Sequence, residues 1–250
     1  MAKPGQTRRL ILGLGGLALV WSAVPLVRRA MAPPVQYEML SDPKGFRKVA
    51  TGEVSVARGM LVGLDNRPPI EPILDADLCT VLFQTTPADR VPVAVFSDYN
   101  CPFCRVLSDW LIEAQDKGRI ALTFHELPRL GPRSDMTARL ALAAARQDAY
   151  LWFHKRFMAS QFLPNDPYVL TLATERGIDG PRLLEDSEDP KIDRHLAQAD
   201  ALAARFGFPA TPAMVVGRTA VLGAVERHIL DQIIADESAL RDSLPCGQQP

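Results

Sequence analysis

Four cysteines occur in the 250-residue chain, and two of them, Cys101 and Cys104, are separated only by Pro102 and Phe103. A pair at that spacing suits thiol–disulfide exchange or half of a metal site. The flanking residues favour exchange. The apolar run 91–96 reads as a strand buried on both faces. The stripe Phe103, Val106, Leu107, Trp110, Leu111 and Ala114 reads as a helix over 102–117. Cys101 therefore stands where a strand hands over to a helix, with Pro102 in the first turn, where its missing N–H costs nothing. The unpaired N–H groups and positive dipole end of that helix favour thiolate over thiol at Cys101. Cys104, one turn on, is within reach to resolve a mixed disulfide. A zinc site needs a second ligand pair, but Cys79 and Cys246 are single and His125, His154, His195 and His228 show no ligand-like spacing. The reading therefore assigns no metal and no cofactor. A rival from another class is a membrane-tethered protein holding soft ions such as copper(I) on the two thiolates. The lack of a third soft ligand nearby counts against it.

A second element points toward redox chemistry. Thr211-Pro212 stands immediately before the short apolar run 213–216. A cis proline there would present the Thr211 backbone to an extended partner beside the cysteines, a β-addition contact. Alone, an ordinary turn proline is the commoner reading, and the Cys motif reverses the balance. His125 and Glu126 fall on the strand expected at 120–127, where either could relay a proton for Cys104. More often such a pair is one solvated residue and one structural hydrogen bond. Asp98 reads as a turn or cap residue, and Trp152, His154 and Phe157 as helical packing.

The elements that must position these residues follow from periodicity. Strands are expected at 78–83, 91–96, 120–127 and 213–216, and helices at 102–117, 134–146, 150–160, 166–176, 190–206 and 226–235. The order is α/β: a body over 76–240 with an inserted helical subdomain at about 132–205. Before it, residues 33–75 are rich in Pro and Gly and read as an irregular linker with one short strand around 54–57. After it comes a polar tail, 241–250. Residues 10–27 are uncharged and mostly apolar between Arg pairs, and eighteen residues would span about 27 Å as a helix, close to a bilayer's hydrocarbon core. Ala30-Met31-Ala32 fits a small-x-small cleavage site, yet Pro33 follows and Arg28-Arg29 precede it, which favours a retained anchor over a cleaved signal. Arg8-Arg9 before the run loosely resembles a twin-arginine export signal. Before Glu38 there is no acid and there are five basic residues, which leaves 23 basic against 29 acidic residues in the rest. A body of about −6 offers no field for phosphate backbones, so nucleic acid is not an expected partner.

The stretches VAVFSDYNCPFCRVL, FHELPRLGPRSDMTARLALAAARQDAYLWFHKRFMA and FGFPATPAMVVG…GAV, in that order, resemble the DsbA-like thiol:disulfide interchange proteins of the thioredoxin superfamily, over roughly residues 78 to 237. The resemblance implies a thioredoxin-like fold with a helical insertion, Cys101 as attacking thiol, Cys104 as resolving thiol and Pro212 as the cis proline. It also implies substrates among exported proteins with thiols or disulfides, in a periplasmic or other extracytoplasmic space, and a membrane redox partner for recycling. Residues 10–27 would then hold the protein at the inner membrane. Pro-Phe stands where strong oxidants of the family carry Pro-His, and Phe103 cannot donate a hydrogen bond to a thiolate. Oxidase is favoured over reductase or isomerase, because 33–75 looks too irregular for the dimerisation domain an isomerase commonly uses. In folds of this type the chain ends can approach, so a structural Cys79–Cys246 disulfide is expected in an oxidising compartment. The alternative is a free buried Cys79 with an exposed or intermolecular Cys246.

Overall fold

Two short strands near the N-terminal end, β1 (Glu38–Met39) and β2 (Arg47–Lys48), are stitched to the far end of the chain. The structure, a computed structural model, describes residues 35–49, 55, 75–84, 86–87, 89–160, 164–240 and 245–246. Further along the chain are α1 (Asp75–Leu82), β3 (Val91–Ser97), α2 (Pro102–Asp116), β4 (Ile120–Glu126), α3 (Pro132–Ala145), α4 (Tyr150–Ala159), α5 (Asp166–Arg176), α6 (Gly180–Ser187), α7 (Pro190–Arg205), β5 (Ala213–Val216), β6 (Thr219–Leu222) and α8 (Arg227–Ala239). The sheet order is β1-β2-β6-β5-β3-β4 among the described residues.

β3 is central, parallel to β4 on one side and antiparallel to β5 on the other, and all seven of its residues are buried. That accounts for its unbroken apolarity: a strand covered on both faces has no solvent side on which to alternate. β5 and β6 form a hairpin through Gly217 and Arg218. Gly217 has φ +55°, and a Cβ there would lie 2.5 Å from Glu237 Oε2. Glycine is required at this turn on both counts.

Helices α3 to α7 stand between β4 and β5. Three of their N-termini use one device, an Asn or Asp cap with proline in the first turn: Asn165 accepts from Tyr168 N, Asp179 from Arg182 N and Asp189 from Lys191 N. Each such cap contributes about 1 kcal/mol. Ala138, Ala141, Ala143 and Ala144 of α3 are buried and pack in a cluster with Phe153, Phe157, Leu172, Leu183 and Leu196. A second cluster gathers Phe46, Leu82, Phe96, Leu202, Phe206 and Phe208.

Several expectations are corrected. Residues 78–83, expected as a strand, lie largely within helix α1. Leu78 and Leu82 are both buried, and their i, i+4 spacing suits one helical face; a six-residue apolar run does not distinguish the two periods. The linker expected over 33–75 instead contributes β1 and β2. Phe46 is buried, and Arg47 Nη2 lies 2.6 Å from Glu237 Oε1 on α8, in a pair that also receives the Thr219 hydroxyl. Breaking such a buried pair by removing one partner costs about 3–5 kcal/mol. Two-residue strands leave no periodic signature, which is why the sequence pattern misses them. Of the strand expected at 54–57 only Ser55 is among the described residues. On α2 the buried seam runs through Cys104, Leu107, Ser108, Leu111 and Ile112, while Val106, expected on the stripe, is exposed. The pattern does not announce β6 or α6, which are too short to carry a period. The apolar run 10–27 lies outside the described residues; among those described, no helix is long and apolar enough to cross a membrane.

Candidate active site

β3 ends at Ser97, and Asp98 organises the turn that leads to Cys101. Its carboxylate accepts from Asn100 N at 2.8 Å, Arg129 N at 2.7 Å, Leu130 N at 3.0 Å and the Ser134 hydroxyl at 2.7 Å. One buried side chain therefore ties that turn to the loop after β4 and to the start of α3. This is the turn-residue reading of Asp98 in a fuller form.

Cys101 is the N-cap of α2, with extended backbone (φ −83°, ψ 114°) and Pro102 in the first turn. Its sulfur accepts the Cys104 N–H at 3.2 Å, one of the donors a helix start leaves unpaired. Both thiols are free and essentially fully buried. Hydrogen bonding from the Cys104 thiol lowers the Cys101 pKa to about 6; burial opposes this, and the Ser55 side chain and the Cys104 N–H add to the lowering. Cys104 moves the other way. Burial pushes its thiol well above the ordinary value, and the neighbouring Cys101 adds to the rise. The environment thus makes one sulfur a ready thiolate and keeps its partner protonated.

Thr211 and Pro212 reach this place through sheet register. β5 runs antiparallel to β3 with Ala213 opposite Phe96. The residues just before Ala213 must therefore lie beside those just after Phe96, although more than a hundred positions separate them. The Thr211–Pro212 peptide is cis, and the Cys101 sulfur lies 3.6 Å from the Thr211 carbonyl oxygen.

His125 and Glu126 point elsewhere. His125 Nε2 lies 3.0 Å from the Leu82 carbonyl and its ring stacks on Phe96; burial lowers its pKa to about 4, so it is neutral. Glu126 Oε1 accepts from Tyr99 at 2.7 Å and Tyr150 at 2.5 Å, while Oε2 is buried without a partner. Burial raises its pKa to about 7 against these two hydrogen bonds. Among the described residues neither side chain hydrogen-bonds a cysteine sulfur. Both border a cleft of about 740 Å³ between β4 and helices α1, α3, α4 and α7.

Sequence reasoning assigned His154 to packing alone and missed its polar role. The Tyr99 hydroxyl donates to Glu126, so it accepts from His154 Nδ1 at 3.0 Å; Nε2 then accepts from the Ser108 hydroxyl at 2.7 Å. This chain joins α2 to α4 and β4, and burial holds His154 neutral at a pKa of about 3. Ser55 falls in the short strand expected around 54–57, but its place at this site was missed. It forms an isolated antiparallel bridge with Thr211, and no local signal names that partner.

Cys79 and Cys246 are joined by a disulfide, with sulfurs 2.06 Å apart across a sequence separation of 167. Among the described residues no group of three or more His, Cys, Asp or Glu side chains could hold a metal ion.

A Cys-x-x-Cys pair opening the helix after the central strand, beside a cis Thr-Pro on the antiparallel neighbour, defines a thioredoxin-type protein. The profile of the DSBA-like thioredoxin domain matches residues 92–235, and the chain belongs to that family of thiol–disulfide oxidoreductases. It is 39% identical to a solved thioredoxin-like oxidoreductase from Silicibacter pomeroyi DSS-3, over 58% of this chain and 85% of that one, with a TM-score of 0.54. A periplasmic thioredoxin-like protein from Salmonella enterica serovar Typhimurium is 24% identical over 68% of this chain and 99% of its own, with a TM-score of 0.55. The catalytic domain of Proteus mirabilis ScsC is 22% identical over 66% and 96%, with a TM-score of 0.57. The last two likenesses speak to the fold alone. No curated protein matches the chain significantly.

Proposed function

We propose that the chain exchanges disulfides with exported proteins, with Cys101 as the attacking thiol, Cys104 as the resolving thiol and the Thr211–Pro212 backbone as the edge against which an extended substrate lies. The observation that carries this reading is the asymmetry of the pair: Cys101 is lowered to about 6 while Cys104 is raised. In the oxidising direction a substrate thiolate attacks the Cys101–Cys104 disulfide at the Cys101 sulfur and Cys104 leaves, taking up a proton. A second substrate thiolate then attacks the substrate's own sulfur in the mixed disulfide and Cys101 departs as a thiolate. The substrate is oxidised by two electrons and the enzyme reduced by two.

Oxidase is the favoured direction, because a leaving thiolate stabilised at neutral pH stabilises the reduced enzyme and makes its disulfide a better oxidant. The Cys79–Cys246 disulfide supports an oxidising compartment. The run 10–27 would tether the protein to the inner membrane, where a redox partner reoxidises it. The relay role expected for Glu126 or His125 gains no support from their contacts.

Equilibrating the Cys101–Cys104 pair against glutathione tests the direction. A potential near or above about −200 mV is expected for an oxidase, and one near about −270 mV would assign a reductase instead. Membrane fractionation with a reporter fused after Ala32 tests the tether; a soluble form beginning near Pro33 would show a cleaved signal.

A further inference from the structure

The edge that should receive a substrate is already paired. Ser55 N donates to the Thr211 carbonyl at 2.7 Å, and Thr211 N donates to the Ser55 carbonyl at 3.4 Å. These are the two main-chain hydrogen bonds by which an added strand would hold on to this position. The same Thr211 carbonyl oxygen lies 3.6 Å from the Cys101 sulfur, so whatever pairs there lies beside the nucleophile. Cys101 and Thr211 are both fully buried, although an incoming disulfide must reach that sulfur.

We infer that Ser55 is an intramolecular occupant of the substrate edge, a residue of the protein's own backbone that a substrate must displace before Cys101 can react with it. The inference rests on the proposed role of the Thr211 backbone as the docking edge. Among the described residues Ser55–Thr211 is a single bridge outside any named strand, and displacing Ser55 forfeits its two main-chain hydrogen bonds to Thr211. An extended peptide restores both, which makes the exchange of one strand for another nearly balanced. A reagent or protein that offers no strand would find Cys101 covered.

Two variants of the full chain separate the backbone from the hydroxyl. Ser55→Pro removes the N–H donor and the hydroxyl, and Ser55→Ala removes the hydroxyl alone. The rate constant of the Cys101 thiolate with iodoacetamide, taken from a pH profile so that changes in thiol pKa drop out, should rise roughly five- to tenfold in Ser55→Pro relative to Ser55→Ala. Turnover of insulin disulfides with dithiothreitol as reductant should rise by a similar factor. Equal alkylation rates in the two variants would overturn the inference, and so would faster alkylation without faster insulin turnover. Failure of the unmodified protein to turn over insulin would strike the proposed function instead, while alkylation would still decide whether Ser55 covers Cys101. A second measurement does not depend on how Ser55→Pro folds. In Cys104→Ala protein trapped as a mixed disulfide with a cysteine-containing peptide, the Ser55 amide should exchange hydrogen faster than in the free protein. Unchanged protection would mean that the peptide docks without displacing Ser55.

Discussion

The chain holds two cysteine pairs that obey opposite physical rules. Cys101 and Cys104 are three residues apart, lie at a helix start and are free thiols whose environments drive their pKa values in opposite directions. Cys79 and Cys246 are 167 positions apart, join α1 to the tail and are bonded. Closing a long loop removes much conformational freedom from the unfolded chain, so the distant pair is suited to stabilising the fold. Closing a three-residue span removes almost none, so the near pair adds little stability by this route, and a helix N-terminus that stabilises thiolate favours its opening. The same side chain is a bonded cross-link in one setting and a free thiol in the other, and the two settings differ in loop length and local field.

The largest effect expected from breaking this contrast is at Cys101. Cys101→Ala should lower insulin turnover by several orders of magnitude, as loss of a nucleophile does. Cys104→Ala should accumulate mixed disulfides through Cys101, seen by mass spectrometry; trapping in Cys101→Ala alone would reverse the two roles. Next in size, the double change Cys79→Ser and Cys246→Ser should leave turnover per folded molecule intact but lower the unfolding free energy by about 2–5 kcal/mol, read from urea denaturation. An unchanged midpoint would show that the bridge does not stabilise the fold.

The pairs should also differ in their response to pH. Cys101 falls to about 6 in the folded protein, below the ordinary thiol value of about 8.5. A lowered acid contributes stability that is present above the unfolded pKa and lost as pH falls through the folded one. Reduced protein should therefore gain stability over its Cys101→Ala counterpart between about pH 6 and pH 8.5, whereas the bonded pair, having no thiol to ionise, adds no slope. Denaturation at the two ends of the window checks this; parallel curves would mean that Cys101 is not depressed. An effect of similar size and opposite sign is expected outside both pairs, at Glu126, whose folded pKa is raised from 4.5 to about 7. A raised acid contributes stability that is fully present below the unfolded pKa and lost as pH rises through the folded one. Stability should decline from about pH 4.5 to about pH 7, and Glu126→Gln should flatten that decline; an unaltered slope would place the titration elsewhere.

Legibility in the sequence tracks the range of the interactions involved. Local chemistry is written in neighbouring residues: Pro102 after Cys101 and the apolar run of a doubly covered strand both act within a turn or a strand. The strand-to-helix setting of Cys101 and Cys104 and the α/β order are legible for that reason. Residues 78–83 were not, because α1 shows its helical period only through Leu78 and Leu82 packing on the core. β1 and β2 were not, because their stability comes from Arg47 meeting Glu237, 190 positions away. The Glu126–Tyr99–His154–Ser108 chain belongs to the same class: each member is ordinary on its own element, and only packing of those elements turns them toward one another. The strand-to-helix junction at Cys101-Pro102-Phe103-Cys104 was thus set by the sequence alone, because a helix start and its open N–H groups need no distant partner, whereas Ser55 and Thr211, which help to lower the Cys101 pKa, come from elsewhere in the chain. Tertiary structure decided what faces Cys101. The β3–β5 register brings the Thr211 carbonyl to the Cys101 sulfur, and Ser55 pairs with it, through backbone hydrogen bonds that carry no side-chain signature.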